Sequence, residues 1–156
     1  MGEGDFQMKR FSREEKEKIT AAIKQAERRT SAEIRLFIED RCRRNVLDRA
    51  AIIFEKLKMH RTVKRNGVLF YLAIKDHNFA ILGDAGINAL VKSDFWEEIK
   101  EIVLDYFKKG EYSEGLSMGM ALVADTLKEY FPYDEPYDKK DKNELPDEIV
   151  FGQKDT

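Results

Sequence analysis

The sequence is poor in the residues that form disulfides, zinc sites and membrane spans. Its 156 residues include one cysteine, Cys42, which excludes an internal disulfide, and two histidines, too few to expect a structural zinc site. The longest strongly apolar run, residues 67–74, is far shorter than the roughly 20 residues of a membrane helix. The 28 Lys and Arg nearly balance the 30 Asp and Glu, so we expect neither nucleic acid nor a membrane surface as a partner.

The N-terminal residues also lack the features of a targeting signal. The first eleven, MGEGDFQMKRF, carry acidic residues where a signal peptide has basic ones, and they include no apolar segment. Together with the lone cysteine, this predicts a cytoplasmic protein. We expect residues 1–10 to be a flexible N-terminus.

What the sequence does contain is the composition of one soluble globular domain. Hydrophobic residues make up 42% and charged residues 37%, enough for a real core in a chain of this length. All three prolines, Pro132, Pro136 and Pro146, lie near the C-terminus, where acidic residues predominate and apolar periodicity disappears. We therefore predict a domain over residues 11–131 and an acidic, proline-containing C-terminal tail over residues 132–156.

Apolar spacing predicts four helices and three strands in the order α, β, α, β, β, α, α. Ser12 and Glu15 form a capping box at the start of the first helix, and Ser93 is expected to cap the third. The unbroken apolar run 67–74 is typical of a central strand covered on both faces. The predicted helices cover about residues 13–29, 47–57, 94–109 and 113–131, and the strands about 33–38, 67–74 and 79–82.

The order of these elements predicts the fold class. The first strand, the second helix and the second strand form a crossover unit, which lays the two strands parallel in one sheet. A polar turn at residues 75–78 makes the third strand the antiparallel partner in a hairpin. With helices on both faces, the fold is α/β, a three-layer α/β/α sandwich with a small mixed sheet of three to four strands.

Oxygen-bearing side chains are expected to gather at one end of this sheet. The two parallel strands begin there and the antiparallel strand ends there, next to Thr30, Ser31 and Glu33. Carboxylate and amide oxygens suit a hard cation, so we predict a calcium or magnesium site with the ligands Asp84, Asp94, Asn66 and Asn88. The same residues also suit structural roles, because Asn-Gly forms turns and an acid favours a helix N-terminus.

Basic residues are expected at the same end. Arg61, Lys64 and Arg65 lie in the loop before the second strand, where they could bind phosphate oxygens beside a cation. Charged loops are usually only solvated, however. A second basic cluster at residues 41–44 is expected at the opposite end of the sheet, so neither cluster is unique.

One catalytic motif is present in the wrong context. Residues 115–119 read G-x-S-x-G, the pattern of the hydrolase nucleophile, in which a strand leads into the serine. Here the preceding residues, FKKGEY, join two predicted helices instead of forming a strand, and both histidines precede Ser117 instead of following it. We expect Ser117 to be a small residue that permits close helix packing.

Several segments, taken in order, resemble the TPM domain family. They are TSAEIRLFIE, RNGVLFYLAIKDHNFAILGDAGIN and FKKGEYSEGLSMGMALVADTL, within residues 10–131. The resemblance implies an α/β/α sandwich and a divalent cation site, and acid phosphatase activity has been attributed to some members. Residues that match the family pattern are Asn66, Gly67, Gly83, Gly86, Asp94, Gly110, Tyr112 and Gly115.

Two details of the resemblance refine these expectations. The C-terminal sequence, with Phe131-Pro132 and residues 143–147, is similar to the ending of small, stand-alone bacterial members. Many members have Glu where this chain has Asn88, which lowers the expected cation affinity, although Asp84 could replace the charge.

Two functions are compatible with these features. We predict a cytoplasmic divalent-cation-binding module with a binding or regulatory role, whose partner is another protein or a small phosphorylated ligand. The alternative is a metal-assisted acid phosphatase of low turnover, in which a cation at Asp84 and Asp94 polarises a phosphomonoester. Because no nucleophile and base occur together in the sequence, we assign no catalytic residue, and the binding module is favoured.

Overall fold

The computed structural model describes residues 11–133 and 149–152 of the chain. Within these ranges the helices are α1 (Arg13–Arg29), α2 (Val46–Lys56), α3 (Ala85–Asn88), α4 (Phe95–Lys108) and α5 (Tyr112–Tyr130). The strands are β1 (Glu33–Glu39), β2 (Gly67–Ala73), β3 (Asn78–Gly83) and β4 (Ile149–Phe151), and a 3-10 turn covers Met59–Arg61. The predicted flexible N-terminus and most of the predicted tail lie outside the described residues.

The four strands form one mixed sheet in the order β3-β2-β1-β4. β1 pairs in parallel with β2 on one side and with β4 on the other, while β2 and β3 form the antiparallel hairpin. Helices cover both faces, so the predicted α/β sandwich is confirmed. The fourth strand, which the prediction left open, comes from the segment predicted as a tail.

The sheet separates two apolar cores. The larger core packs β1 and β2 against α1, α4 and α5, and the smaller core packs the other face against α2. Side chains of β2 alternate between the two, and all seven residues of this strand are buried. This is why the sequence of β2 is an unbroken apolar run. Its residues in the larger core are Val68, Phe70 and Leu72, and those in the smaller core are Leu69, Tyr71 and Ala73.

Capping explains where the helices begin, with one correction. The Ser12 Oγ accepts a hydrogen bond from the Glu15 N–H, and the Glu15 carboxylate accepts one from the Ser12 N–H, as predicted for α1. The predicted cap at Ser93 is wrong, since Asp94 occupies the N-cap position of α4, and the Asp94 side chain makes no capping hydrogen bond. A backbone bond from the Phe95 N–H to the Lys92 carbonyl closes the preceding turn, which moves the helix start past Ser93. In the described part of the chain, no helix is both long and apolar enough to cross a membrane.

Candidate functional site

The starts of β1 and β2 and the end of β3 meet at one end of the sheet, as predicted. Glu33 pairs with Gly67 across β1 and β2, and the Asp84 N–H donates to the Gly67 carbonyl at 3.0 Å. The residues after β3 therefore lie directly beside those that begin β2. We call this region, made of residues 31–33, 62–67 and 83–88, the Asp84 end of the sheet.

Asp84 is the buried carboxylate of this end, and Arg65 binds it. Arg65 Nε donates to Asp84 Oδ2 at 2.7 Å, and Arg65 Nη2 donates to Oδ1 at 2.8 Å. The Ala85 N–H donates to the same Oδ1 at 2.7 Å, so Asp84 also caps α3. The Asp84 side chain is 6% exposed and that of Arg65 is 51% exposed. The hydrogen bonds and charge of Asp84 raise the pKa of Arg65. Asp84, one of the predicted cation ligands, is thus already paired with the cationic side chain of Arg65.

The two predicted asparagine ligands are also bonded within the protein. Asn66 is buried, and its Nδ2 donates to Ser31 Oγ at 3.4 Å. Asn88 Nδ2 donates to the Gly83 carbonyl at 2.9 Å, while its Oδ1 accepts from Trp96 Nε1 at 2.8 Å. Asn88 therefore ties α3 to the end of β3 and to α4.

Asp94, the fourth predicted ligand, lies outside this hydrogen-bonded group. It is exposed at the start of α4 and makes no capping bond with its side chain. Across the described ranges, no cluster of three or more His, Cys, Asp or Glu side chains is arranged to hold a metal ion. The structure brings Asn66, Asp84 and Asn88 to the Asp84 end, and the four-ligand cation site stays a prediction.

The basic loop before β2 is joined to α3 through its backbone. The Gly86 N–H donates to the Arg65 carbonyl at 2.9 Å. A side chain at Gly86 would collide with the Lys64 carbonyl and would bring its Cβ within 2.7 Å of the Arg65 carbonyl oxygen. Arg65 has a left-handed backbone, with φ of 51°. Of the three predicted phosphate-binding residues, Arg61 and Lys64 are exposed, and Arg65 binds Asp84.

Sequence reasoning missed a buried ionic cluster at the opposite end of the sheet. Glu39, at the end of β1, accepts hydrogen bonds from Arg49 Nε at 2.8 Å and Arg49 Nη2 at 2.9 Å, and also from the Tyr71 hydroxyl. Burial, reinforced by the neighbouring Glu39, raises the pKa of Tyr71, and the hydrogen bond to Glu39 raises that of Arg49. The sequence signal that could have indicated this cluster is a polar residue at a buried strand position, which is Glu39 in β1 and Tyr71 in β2.

Charged side chains beside this cluster also form ion pairs. Arg41, from the predicted second basic cluster, pairs with Asp76 of the β2–β3 turn at 3.3 Å. Asp40 is 2% exposed, and within residues 11–133 and 149–152 neither of its carboxylate oxygens has a hydrogen-bond partner. Lys75 Nζ lies 3.7 Å from Asp40 Oδ2, which compensates the buried charge in part.

The residues of the G-x-S-x-G motif lie where the sequence placed them, within a helix. Ser117 is on α5, and its buried Oγ has no hydrogen-bond partner among the residues that the structure describes. His77 lies in the β2–β3 turn, where its Nδ1 is 2.9 Å from the Tyr112 hydroxyl. The structure therefore supplies no serine–histidine pair at this motif.

A mixed sheet between helical layers, with a glycine-lined turn after β3, defines a small α/β sandwich domain. Comparison with known proteins shows its family. The chain belongs to the TPM domain family, whose model matches residues 6–126. The resemblance expected from the sequence is thereby confirmed. The narrower expectation, a stand-alone cytoplasmic branch of the family, stays a prediction.

Two solved structures are similar to this chain. One is the NMR structure of the BA42 protein from the psychrophilic bacterium Bizionia argentinensis, with 40% identity, a TM-score of 0.80, and coverage of 91% of this chain and 95% of that one. The other is the solution structure of the N-terminal domain of a protein from P. gingivalis, with 16% identity, a TM-score of 0.63, and coverage of 79% and 80%. The second shares the fold alone. None of the curated proteins matches the chain.

Proposed function

We propose that this TPM domain is a cytoplasmic binding module that responds to calcium or magnesium, and that the cation competes with Arg65 for Asp84. The supporting observation is the bidentate Arg65–Asp84 pair at the end of the sheet where Asn66 and Asn88 also carry oxygen atoms. Binding of the cation would release Arg65 and the loop that contains it. Asp94, which precedes α4, is the second carboxylate that we propose for the ion.

Replacement of Arg65 by a metal cation is physically reasonable, because the guanidinium and the metal ion would compensate the same buried charge of Asp84. An unpaired carboxylate as buried as Asp84, 6% exposed, would be costly, so one positive partner must be present. Arg65 is 51% exposed, and its guanidinium can move into water with little change in solvation. Hard divalent cations bind several oxygen ligands at roughly 2.0 to 2.6 Å. Cation occupancy would then control how the basic loop at residues 61–65 meets a protein partner or a small phosphorylated ligand.

An amide-shift titration with calcium and magnesium tests this proposal. In the wild-type protein, saturable shifts are expected at residues 62–67 and 83–88. Asp84→Asn should weaken binding by roughly tenfold or more, because asparagine can still cap α3 but lacks the charge. Arg65→Gln should strengthen binding severalfold, because it removes the competing guanidinium.

Arg61→Gln is the matched control for Arg65→Gln, since it removes the same charge from an exposed position of the same loop. Equal gains in affinity for the two variants would mean that net charge alone is responsible, and competition at Asp84 would be rejected. Shifts confined to the acidic tail, or no saturation at millimolar cation, would reject the cation site itself.

The metal-assisted phosphatase stays the alternative function for the same residues. The phosphate-binding residues predicted for this function are Arg61, Lys64 and Arg65. Of these, Arg65 is already bound to Asp84, and within the described residues the Ser117 Oγ has no hydrogen-bond partner. If the phosphatase hypothesis holds, hydrolysis of p-nitrophenyl phosphate should stop with a chelator, return with one divalent cation, and decrease with cation affinity in Asp84→Asn. If neither the chelator nor Asp84→Asn changes the rate of hydrolysis, the phosphatase hypothesis is rejected and the binding module remains.

A further inference from the structure

Arg35, in the middle of β1, is a buried arginine without an acidic partner among the described residues. It is 7% exposed. The alternation of the strand places it on the face of the smaller core, two residues before Phe37. Within the described ranges its only hydrogen bond runs from Nη1 to the Leu57 carbonyl at 3.5 Å, which is the upper limit of hydrogen-bond length. Most of its donors are therefore unused by these parts of the chain.

Other buried charges of the sheet are compensated by an opposite charge. Glu39 accepts two hydrogen bonds from Arg49, and Asp84 accepts two from Arg65. A guanidinium has five N–H donors in a planar fork and stays charged in proteins, so Arg35 cannot avoid the cost of burial by losing a proton. The C-terminal end of α2 attracts a cation, but the one long bond to its last carbonyl uses a single donor.

A second underused polar group lies on the segment that Arg35 contacts. The Leu57 carbonyl ends α2, and the 3-10 turn begins two residues later. In this turn the buried Nδ1 of His60 has no hydrogen-bond partner in the part of the chain that the structure describes. The Met59 carbonyl oxygen would lie 3.0 Å from a Cβ at Gly67, so the turn packs against the first residue of β2. Arg35 and His60 thus lie on adjoining segments of the same face of the sheet.

We propose that Arg35 anchors a binding site for a small oxyanion, a carboxylate or a phosphate group, between β1 and the turn that follows α2. The planar fork of a guanidinium matches two oxygen atoms of either group. The anion would compensate the buried charge of Arg35, and His60 can donate a further hydrogen bond from Nδ1 in the tautomer that carries the proton there. This site is separate from the proposed cation site, because Arg35 is not part of the Asp84 end.

Titrations of the isotope-labelled full-length chain with inorganic phosphate and with acetate, at constant ionic strength, test this proposal. Saturable amide shifts are expected at residues 34–36 and 57–60, with dissociation constants in the millimolar range. Binding of either anion supports the site, and the tighter one identifies the ligand group as phosphate or carboxylate. Arg35→Lys keeps the charge but loses the fork, so it should weaken binding at least about tenfold. Arg44→Lys is the matched control at an exposed position and should bind like the wild type.

Thermal unfolding provides a second measurement. A bound anion raises the melting temperature by mass action, and Arg35→Met should lose this increase. Phosphate also stabilises proteins because it is excluded from their surface, so the difference between the variant and the wild type is the quantity that counts. Equal increases in the two proteins would overturn the proposal.

Three titration results would also overturn it, and they decide the matter even if Arg35→Met does not fold. The first is the absence of saturable shifts in the wild-type chain with tens of millimolar of either anion. The second is a set of shifts confined to the basic loop at residues 61–65. The third is equal affinity of Arg35→Lys and Arg44→Lys for the anion, which would show that the fork of Arg35 is not used.

Discussion

Replacing Arg49 by glutamine should lower the free energy of unfolding by about 3 kcal/mol, because it leaves the buried Glu39 carboxylate without its cationic partner. The Glu39 side chain is 9% exposed and accepts two hydrogen bonds from the Arg49 guanidinium. Tyr71 still donates one hydrogen bond in the variant, so the loss is expected at the lower end of the roughly 3 to 5 kcal/mol that broken buried pairs cost. Urea unfolding at neutral pH measures the change.

Arg44→Gln is the control, because Arg44 is exposed in the same region and loses the same charge. Its cost should stay within about 0.5 kcal/mol, as for most surface substitutions. Adding Glu39→Gln to the Arg49 variant should recover part of the loss, because a buried neutral amide is less costly than a buried charge. Equal stabilities of the Arg49 and Arg44 variants would contradict a structural role for the Glu39 pair.

Gly86→Ala is expected to disrupt the Asp84 end strongly. The new Cβ would meet the carbonyl oxygens of Lys64 and Arg65, and both belong to backbone that cannot move without shifting the loop. We expect a loss of about 2 kcal/mol from overpacking. For a chain of this size that corresponds to a decrease in melting temperature of roughly 4 to 8 °C. Amide shifts at Asp84 and Arg65 should report the separation of the ion pair.

Gly110→Ala provides the comparison for the added methyl group. Gly110 has φ of 76°, and in the described part of the chain no other residue comes within 4 Å of the position that a Cβ would occupy, so only backbone strain of about 1 kcal/mol is expected. That variant should leave the shifts at Asp84 and Arg65 unchanged. If Gly86→Ala is no more destabilising than Gly110→Ala, the close approach of the loop to α3 is not needed for stability.

Helices and strands were largely predictable from the sequence because they depend on local properties. The Ser12–Glu15 capping box placed the start of α1, and the apolar run over residues 67–74 placed β2. The crossover rule for parallel strands, together with the hairpin turn, then brought Asn66 and Asp84 to the same end of the sheet. These inferences need only sequence periodicity, capping and the handedness of connections.

The tertiary structure alone decided which charged side chains pair. Several arginines follow β1 or precede β2, and nothing in their spacing shows that Arg65 binds Asp84 or that Arg49 binds Glu39. Ion pairing depends on side-chain distances across elements and on burial, which local patterns do not encode. The same holds for β4, since three apolar residues in a polar segment are too few for a periodic signal. Residues 149–151 became a strand because β1 offers an unpaired edge with apolar cores on both faces.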